Sequence, residues 1–183
     1  VLGAAFIGLT EFQSSAMQMN GLNAVMLPMI LAGVGILTSI IGTFFVKVKE
    51  GGNPQKALNT GELLSSALML AATWFVVKWM MPATWAFNGV EYTSTGIFVA
   101  VVIGLLAGLG IGMITEFYTG TGTSPVKKIV NQSLTGSATN IIAGLGVGMQ
   151  STAIPILILA AGIIGAYHFG GLYGIAIAAV GML

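Results

Sequence analysis

The sequence predicts an all-α, polytopic bundle of transmembrane helices, and three observations predict it. Hydrophobic types fill 56% of the 183 positions and charged types only 6%, against roughly a quarter charged in soluble domains. The mean hydropathy is +0.97. Four stretches reach the roughly 20 mostly apolar residues that a helix needs to cross a bilayer. A chain of this composition cannot clothe itself in polar surface, so a soluble globular domain is excluded and the lipid bilayer becomes an obligatory partner.

The elements follow in order. An apolar run over residues 1–9 is too short to span, and no charged segment or cleavage site marks it as a signal peptide. Full spans are expected at 24–46, 63–81, 96–118 and 138–166. The last is long enough to tilt, and Pro155 inside it removes a backbone hydrogen bond and predicts a kink. A second short run covers 170–183. A helix ending inside hydrocarbon leaves backbone groups unpaired at several kcal/mol each. The expectation is therefore a single membrane domain of four full spans and two truncated helices, internal to a larger polytopic protein.

The eleven charges are six Lys and five Glu, with no Asp, Arg or Cys and a single His. That composition excludes disulfides, paired aspartates on Mg²⁺ and an Arg clamp on phosphate. A net charge of +1 without a basic stripe argues against nucleic acid. Lys47, Lys49 and Lys56 fall in the segment 47–59, and Lys127 and Lys128 in the segment 120–134. Short Lys-rich loops stay in the cytoplasm, so both segments are placed there. Glu11 and Glu91, in segments without Lys, and the turn near His168 then face outward. Lys78 is placed to snorkel at the outer edge, where Trp74, Trp79, Trp85 and Tyr92 read as an interfacial aromatic belt.

Gly96, Ala100, Gly104, Gly108 and Gly112 recur at every fourth position of the third span. This is a slanted ridge of missing side chains on which another helix can pack closely. Lining of a pore is the functional alternative, and packing is the favoured reading. Glu116 lies one step beyond the ridge. It is either an ion ligand, proton carrier or support for a nearby Lys, or an interfacial carboxylate close to Lys127 or Lys128. Glu62 reads as a charge at a helix N-terminus, where the dipole favours an anion, and Glu50 as a solvated loop charge. The run Gly120-Thr121-Gly122-Thr123-Ser124-Pro125-Val126-Lys127-Lys128 has the ingredients of a phosphate cradle but not P-loop spacing. Lys127 and Lys128 are its candidate phosphate contacts. His168 is too isolated for a metal site.

Several runs then resemble one family. Ile111-Gly112-Met113-Ile114-Thr115-Glu116-Phe117-Tyr118-Thr119, Ser124-Pro125-Val126, the stretch from Thr135 to Leu145 and the tail Tyr173 to Leu183 are similar, in order and spacing, to the ion-pumping membrane pyrophosphatases. The likeness covers the chain from about residue 24 onward. Lys49-Glu50-Gly51-Gly52-Asn53-Pro54 resembles the bacterial branch, and Phe117 departs from the family's usual Tyr. The resemblance implies a homodimer of roughly sixteen-helix subunits in a bacterial inner (plasma) membrane. Such a protein hydrolyses cytoplasmic pyrophosphate with Mg²⁺ and moves H⁺ or Na⁺ outward, in some members with K⁺.

By resemblance, the chain corresponds to the end of the sixth helix, helices seven to ten and the start of the eleventh. The family's catalytic Asp-x-x-x-Asp motifs are not in this stretch. The chain alone is therefore expected to hold no catalytic residue and no metal, to be inactive, and to supply scaffold helices. Glu116 is the one polar residue matched within a family motif that carries possible weight, as a support for the active-site or coupling region. A secondary transporter or channel with glycine-rich helices is the competing class; it predicts an inverted repeat, which the sequence does not display.

Overall fold

A computed structural model describes residues 3, 18–46, 54–81, 84–87 and 90–182. The run 1–9, Glu11, Lys47, Lys49 and Glu50 thus lie, with one exception at position 3, outside the described residues. Among residues 18–182, those described form these elements in order: α1 (Gln18–Phe45), α2 (Pro54–Met80), β1 (Thr84–Phe87), β2 (Val90–Thr93), α3 (Ser94–Thr119), α4 (Ser124–Ser133) and α5 (Ser137–Gly181). Among the described residues, four helices are long and apolar enough to cross a membrane. At 1.5 Å per residue, α1 to α3 are each about 40 Å long, enough to span the hydrocarbon and both headgroup layers.

The helices start earlier than hydropathy alone places them, because polar first turns are still helical. α2 begins at Pro54, nine residues before the apolar run, and proline's fixed φ suits a first turn. Glu62 consequently sits more than two turns inside α2, and the expected helix-terminus role is withdrawn, since the dipole acts over the first turn only. Residues 124–133, read from sequence as loop, form α4, which carries a proline in its first turn. The segment 83–94, also read as loop, contains an antiparallel hairpin that pairs Trp85 with Tyr92 and Ala86 with Glu91. Thr93 ends it and caps α3 by accepting a bond from the Gly96 N–H at 3.2 Å.

α5 is broken at Gly171, while its helical backbone continues through Pro155. Gly171 has φ 60° and ψ −150°, and it divides α5 into a first leg, residues 137–170, and a second leg, residues 172–181. That backbone conformation is open to glycine almost alone, whereas a proline inside a membrane helix can be absorbed by neighbouring groups. The chain reverses here. The first leg runs antiparallel to α3, with Gly165 beside Ile103, Gly162 beside Ala107 and Ile158 beside Gly110. The second leg runs parallel to α3, with Gly174 beside Ala100, Ala178 beside Gly104 and Met182 beside Gly108.

The glycine ridge of α3 therefore packs helices. A Cβ at Gly96 would strike the Phe169 carbonyl oxygen, and one at Gly104 the Ala178 carbonyl oxygen. Only an absent side chain lets backbone meet backbone in this way, and in lipid such van der Waals fit is what associates helices. α1 and α2 use the same device, since a Cβ at Gly42 would meet Ser65 Oγ and one at Gly61 would meet Val46 Cγ2. Between these pairs lies an apolar core of Leu27, Leu31, Val77, Ile97, Val101, Tyr173 and Ile177. Outside it the molecule is apolar and open: on the first leg of α5, Ile142 and Ile164 are exposed, as suits residues whose solvent is lipid or neighbouring protein.

Candidate functional site

The polar side chains gather toward the two ends of the bundle. At one end α2 and α3 meet through Trp74 and Phe98, whose rings pack edge to face at 5.0 Å. Lys78 places its Nζ 4.6 Å from the centre of the Trp74 ring. A cation over an indole face is favourable, so Trp74 and Lys78, both read from sequence as residues of the outer edge, bind each other. Trp79 is 83% exposed, as an anchor in a headgroup layer would be. Tyr92, on the hairpin, reaches across to the α5 reversal, its hydroxyl 3.1 Å from where a Gly171 Cβ would stand. His168 packs edge to face on Phe169.

At the opposite end the sequence-predicted Glu116 takes a partner that sequence did not supply. Asn59 Nδ2 donates to Glu116 Oε2 at 2.9 Å, and Gln55 Nε2 donates to Asn59 Oδ1 at 3.3 Å. The first turns of α2 are thereby tied to the last turns of α3. Lys127 and Lys128, the expected neighbours of Glu116, are carried on α4, where both are exposed. One turn further in, Glu62 Oε1 lies 3.7 Å from the position a Gly112 Cβ would take. Sequence reasoning misses Asn59. Its signal is the spacing Gln55, Asn59 and Glu62, which falls on one face of a helix that begins at Pro54.

Glu62 also borders a cleft of about 650 Å³ between α1, α2, α3 and the second leg of α5. Its polar lining includes Thr38, Thr43, Ser65 and Ser66. Several of these hydroxyls are already committed as donors: Thr38 to the Gly35 carbonyl, Thr43 to Ile40 and Ser65 to Gly61. Such back-bonding hides a hydroxyl in its own helix, so the cleft offers one carboxylate and few free donors. Among the described residues no three His, Cys, Asp or Glu side chains gather into a group that could hold a metal ion.

An interlocked bundle of glycine-ridged helices, four of them long and apolar enough to cross a bilayer among the described residues, is the frame of a polytopic membrane protein. Residues 3–183 match the family described as Inorganic H+ pyrophosphatase, and the chain belongs to it. The match extends the likeness beyond residue 24 to nearly the whole chain. A Mycoplana dimorpha protein named pyrophosphate-energized proton pump 2 is 39% identical over 187 residues, covering 100% of this chain and 85% of that protein. A Bacteroides thetaiotaomicron protein, provisionally named a K(+)-stimulated pyrophosphate-energized sodium pump, is 41% identical over 197 residues, and this chain covers 26% of it. A Moorella thermoacetica protein named K(+)-insensitive pyrophosphate-energized proton pump 2 is 34% identical over 190 residues, again with 26% of it covered. The chain thus spans about a quarter of the longer relatives.

Proposed function

We propose that this chain is one part of a membrane pump that couples hydrolysis of cytoplasmic pyrophosphate to outward movement of H⁺ or Na⁺. The observation that carries the reading is the end-to-end match to the family, whose relatives named above include both proton and sodium pumps. The role of the chain within the pump is to hold helices in register. Support comes from the glycine ridge of α3, where Gly96 takes the end of the first leg of α5 at the Phe169 carbonyl and Gly104 seats the second leg at the Ala178 carbonyl, backbone to backbone.

What supports placing Mg²⁺ outside this stretch is that the sequence has no Asp and that, among the described residues, no three Glu or His side chains gather. In this reading Mg²⁺, pyrophosphate and any K⁺ are held by other parts of the longer protein, which works as a homodimer in a bacterial inner membrane. Segments 47–59 and 120–134 face the cytoplasm. The polar tie Gln55–Asn59–Glu116 and the exposed Lys127 and Lys128 then stand on the side from which pyrophosphate arrives, with Glu116 as a support and not a ligand.

The test is made on the full-length protein reconstituted into sealed vesicles. Adding pyrophosphate and Mg²⁺ outside is expected to release phosphate and to drive H⁺ or Na⁺ inward in the same preparation. Hydrolysis without ion movement, or neither, refutes the reading.

A further inference from the structure

Pro28 lies inside α1 and has no N–H, so the carbonyl of Ala24, one turn earlier, loses its ordinary helical donor. In hydrocarbon an orphaned carbonyl is costly and must be satisfied from elsewhere. The donor comes from 149 positions along the chain: Tyr173 Oη donates to the Ala24 carbonyl at 2.7 Å, and the bond is buried. Tyr173 and Pro28 are both among the largest fully buried side chains of the molecule, and Ala24 is 0% exposed.

The setting of Tyr173 makes this bond more than a repair. It lies two residues beyond the Gly171 reversal, at the head of the second leg of α5. The next residue, Gly174, is pressed against the Ala166 carbonyl, and further along the leg the Ala178 carbonyl sits on Gly104 of α3. On the other side, Asn23 of the same α1 turn donates to the Met80 carbonyl at 2.9 Å, tying that turn to the end of α2. One turn of α1 thus fixes both α2 and the second leg.

We propose that Tyr173 is a positioning residue. Through the single carbonyl that Pro28 frees, it sets the height of the second leg against α1 and so the register of that leg on the glycine ridge of α3. Tyr173 and Pro28 act as a coupled pair, the hydroxyl mattering most while Pro28 leaves the Ala24 carbonyl without its helical donor. For its activity readout alone, the inference rests on the pump reading above.

The experiment is a double-mutant cycle in the full-length protein: wild type, Tyr173→Phe, Pro28→Ala and the double variant. Thermal midpoint in detergent and pyrophosphate hydrolysis are both measured. Tyr173→Phe in the wild-type background is expected to lower the midpoint by about 2 °C or more, because a buried acceptor is left unmade. In the Pro28→Ala background the loss falls to less than half of that, because the backbone N–H restored at position 28 now serves the Ala24 carbonyl. Hydrolysis follows the same non-additive pattern. Equal losses from Tyr173→Phe in both backgrounds overturn the inference, because the hydroxyl would then act independently of the carbonyl that Pro28 frees. Should Pro28→Ala not fold, hydrogen exchange of wild type and Tyr173→Phe decides: faster exchange over residues 173–181 is expected, and unchanged exchange there overturns it. A wild-type protein that does not hydrolyse pyrophosphate refutes the pump reading and leaves the thermal cycle to judge Tyr173.

Discussion

Gly104→Ala isolates the contact that seats α5 on α3. The added Cβ would press into the Ala178 carbonyl oxygen and stand 2.7 Å from its carbon and 2.9 Å from its Cα. Those neighbours are backbone and cannot rotate away. Bringing the 2.7 Å separation to 3.4 Å parts the two helices by at least about 0.7 Å, since the oxygen stands closer still, and a gap of that size forfeits a quarter to a half of each dispersion contact. With roughly 20 atom pairs along the ridge at about 0.15 kcal/mol each, the loss is about 1 kcal/mol. Forced repacking adds about 2 kcal/mol. Against this, alanine gains up to about 1 kcal/mol over glycine in a helix interior. The clash wins by about 2 kcal/mol.

Gly110→Ala on the same helix is the control, since its Cβ would meet Ile158 Cδ1 at 3.6 Å, an ordinary contact. It keeps the propensity gain without the clash. Purified full-length variants, heated in detergent and followed by the folded peak in size-exclusion chromatography, should show Gly104→Ala melting below wild type and Gly110→Ala at or above it. If Gly104→Ala melts no lower than Gly110→Ala, the ridge does not seat the second leg and the packing argument fails.

Three further outcomes are expected. Gly171→Ala forces a side chain into φ 60°, ψ −150° and against the Tyr92 hydroxyl, costing about 1–3 kcal/mol; a melting point equal to wild type would place the reversal elsewhere. Glu116→Gln keeps an oxygen for Asn59 Nδ2 at a partly open site and should shift stability by less than about 1 kcal/mol. Pyrophosphate hydrolysis and ion transport by this variant, assayed separately, test its support role, and two unchanged rates would make it a helix tie alone. The purified 183-residue chain, given Mg²⁺ and pyrophosphate, should release no phosphate above the blank, and sustained release would show that acids outside this stretch are dispensable.

How much is legible in the sequence depends on whether a signal is periodic or pairwise. The fourfold glycine spacing on α3 defines a packing face, because any side chain there meets a neighbour on the same slanted row. What it cannot name is the partner, since Ala178 and Phe169 contribute carbonyls and a carbonyl leaves no mark in a sequence. Hydropathy likewise locates the apolar middles of the helices but not their polar ends, so α2 gains Pro54 to Glu62 and the helix-terminus role of Glu62 falls. α4 and the hairpin read as loops because ten residues or fewer, half of them polar, carry too little periodic signal to separate helix or strand from turn. Glu116 stands out in the sequence as a polar residue near membrane depth, yet its partner Asn59 is 57 positions away and no local spacing points to it.

Backbone hydrogen bonding explains much of what sequence reading misses. In water an unpaired carbonyl near a proline or a helix end is met by solvent; within a bilayer it is met by protein. Among the described residues two such carbonyls are met over long range: Tyr173 serves the carbonyl that Pro28 frees, and Asn23 serves the Met80 carbonyl at the end of α2. Pro155 poses the same demand at Ser151, and there the helix continues without a break. An interior proline in a membrane helix therefore need not break the helix. It predicts that a carbonyl four residues earlier needs a donor, and buried tyrosines and asparagines on neighbouring helices are the first candidates. On that rule Pro28 marks the Ala24 carbonyl as the group in need, and the fold, through the reversal at Gly171, brings Tyr173 Oη to meet it.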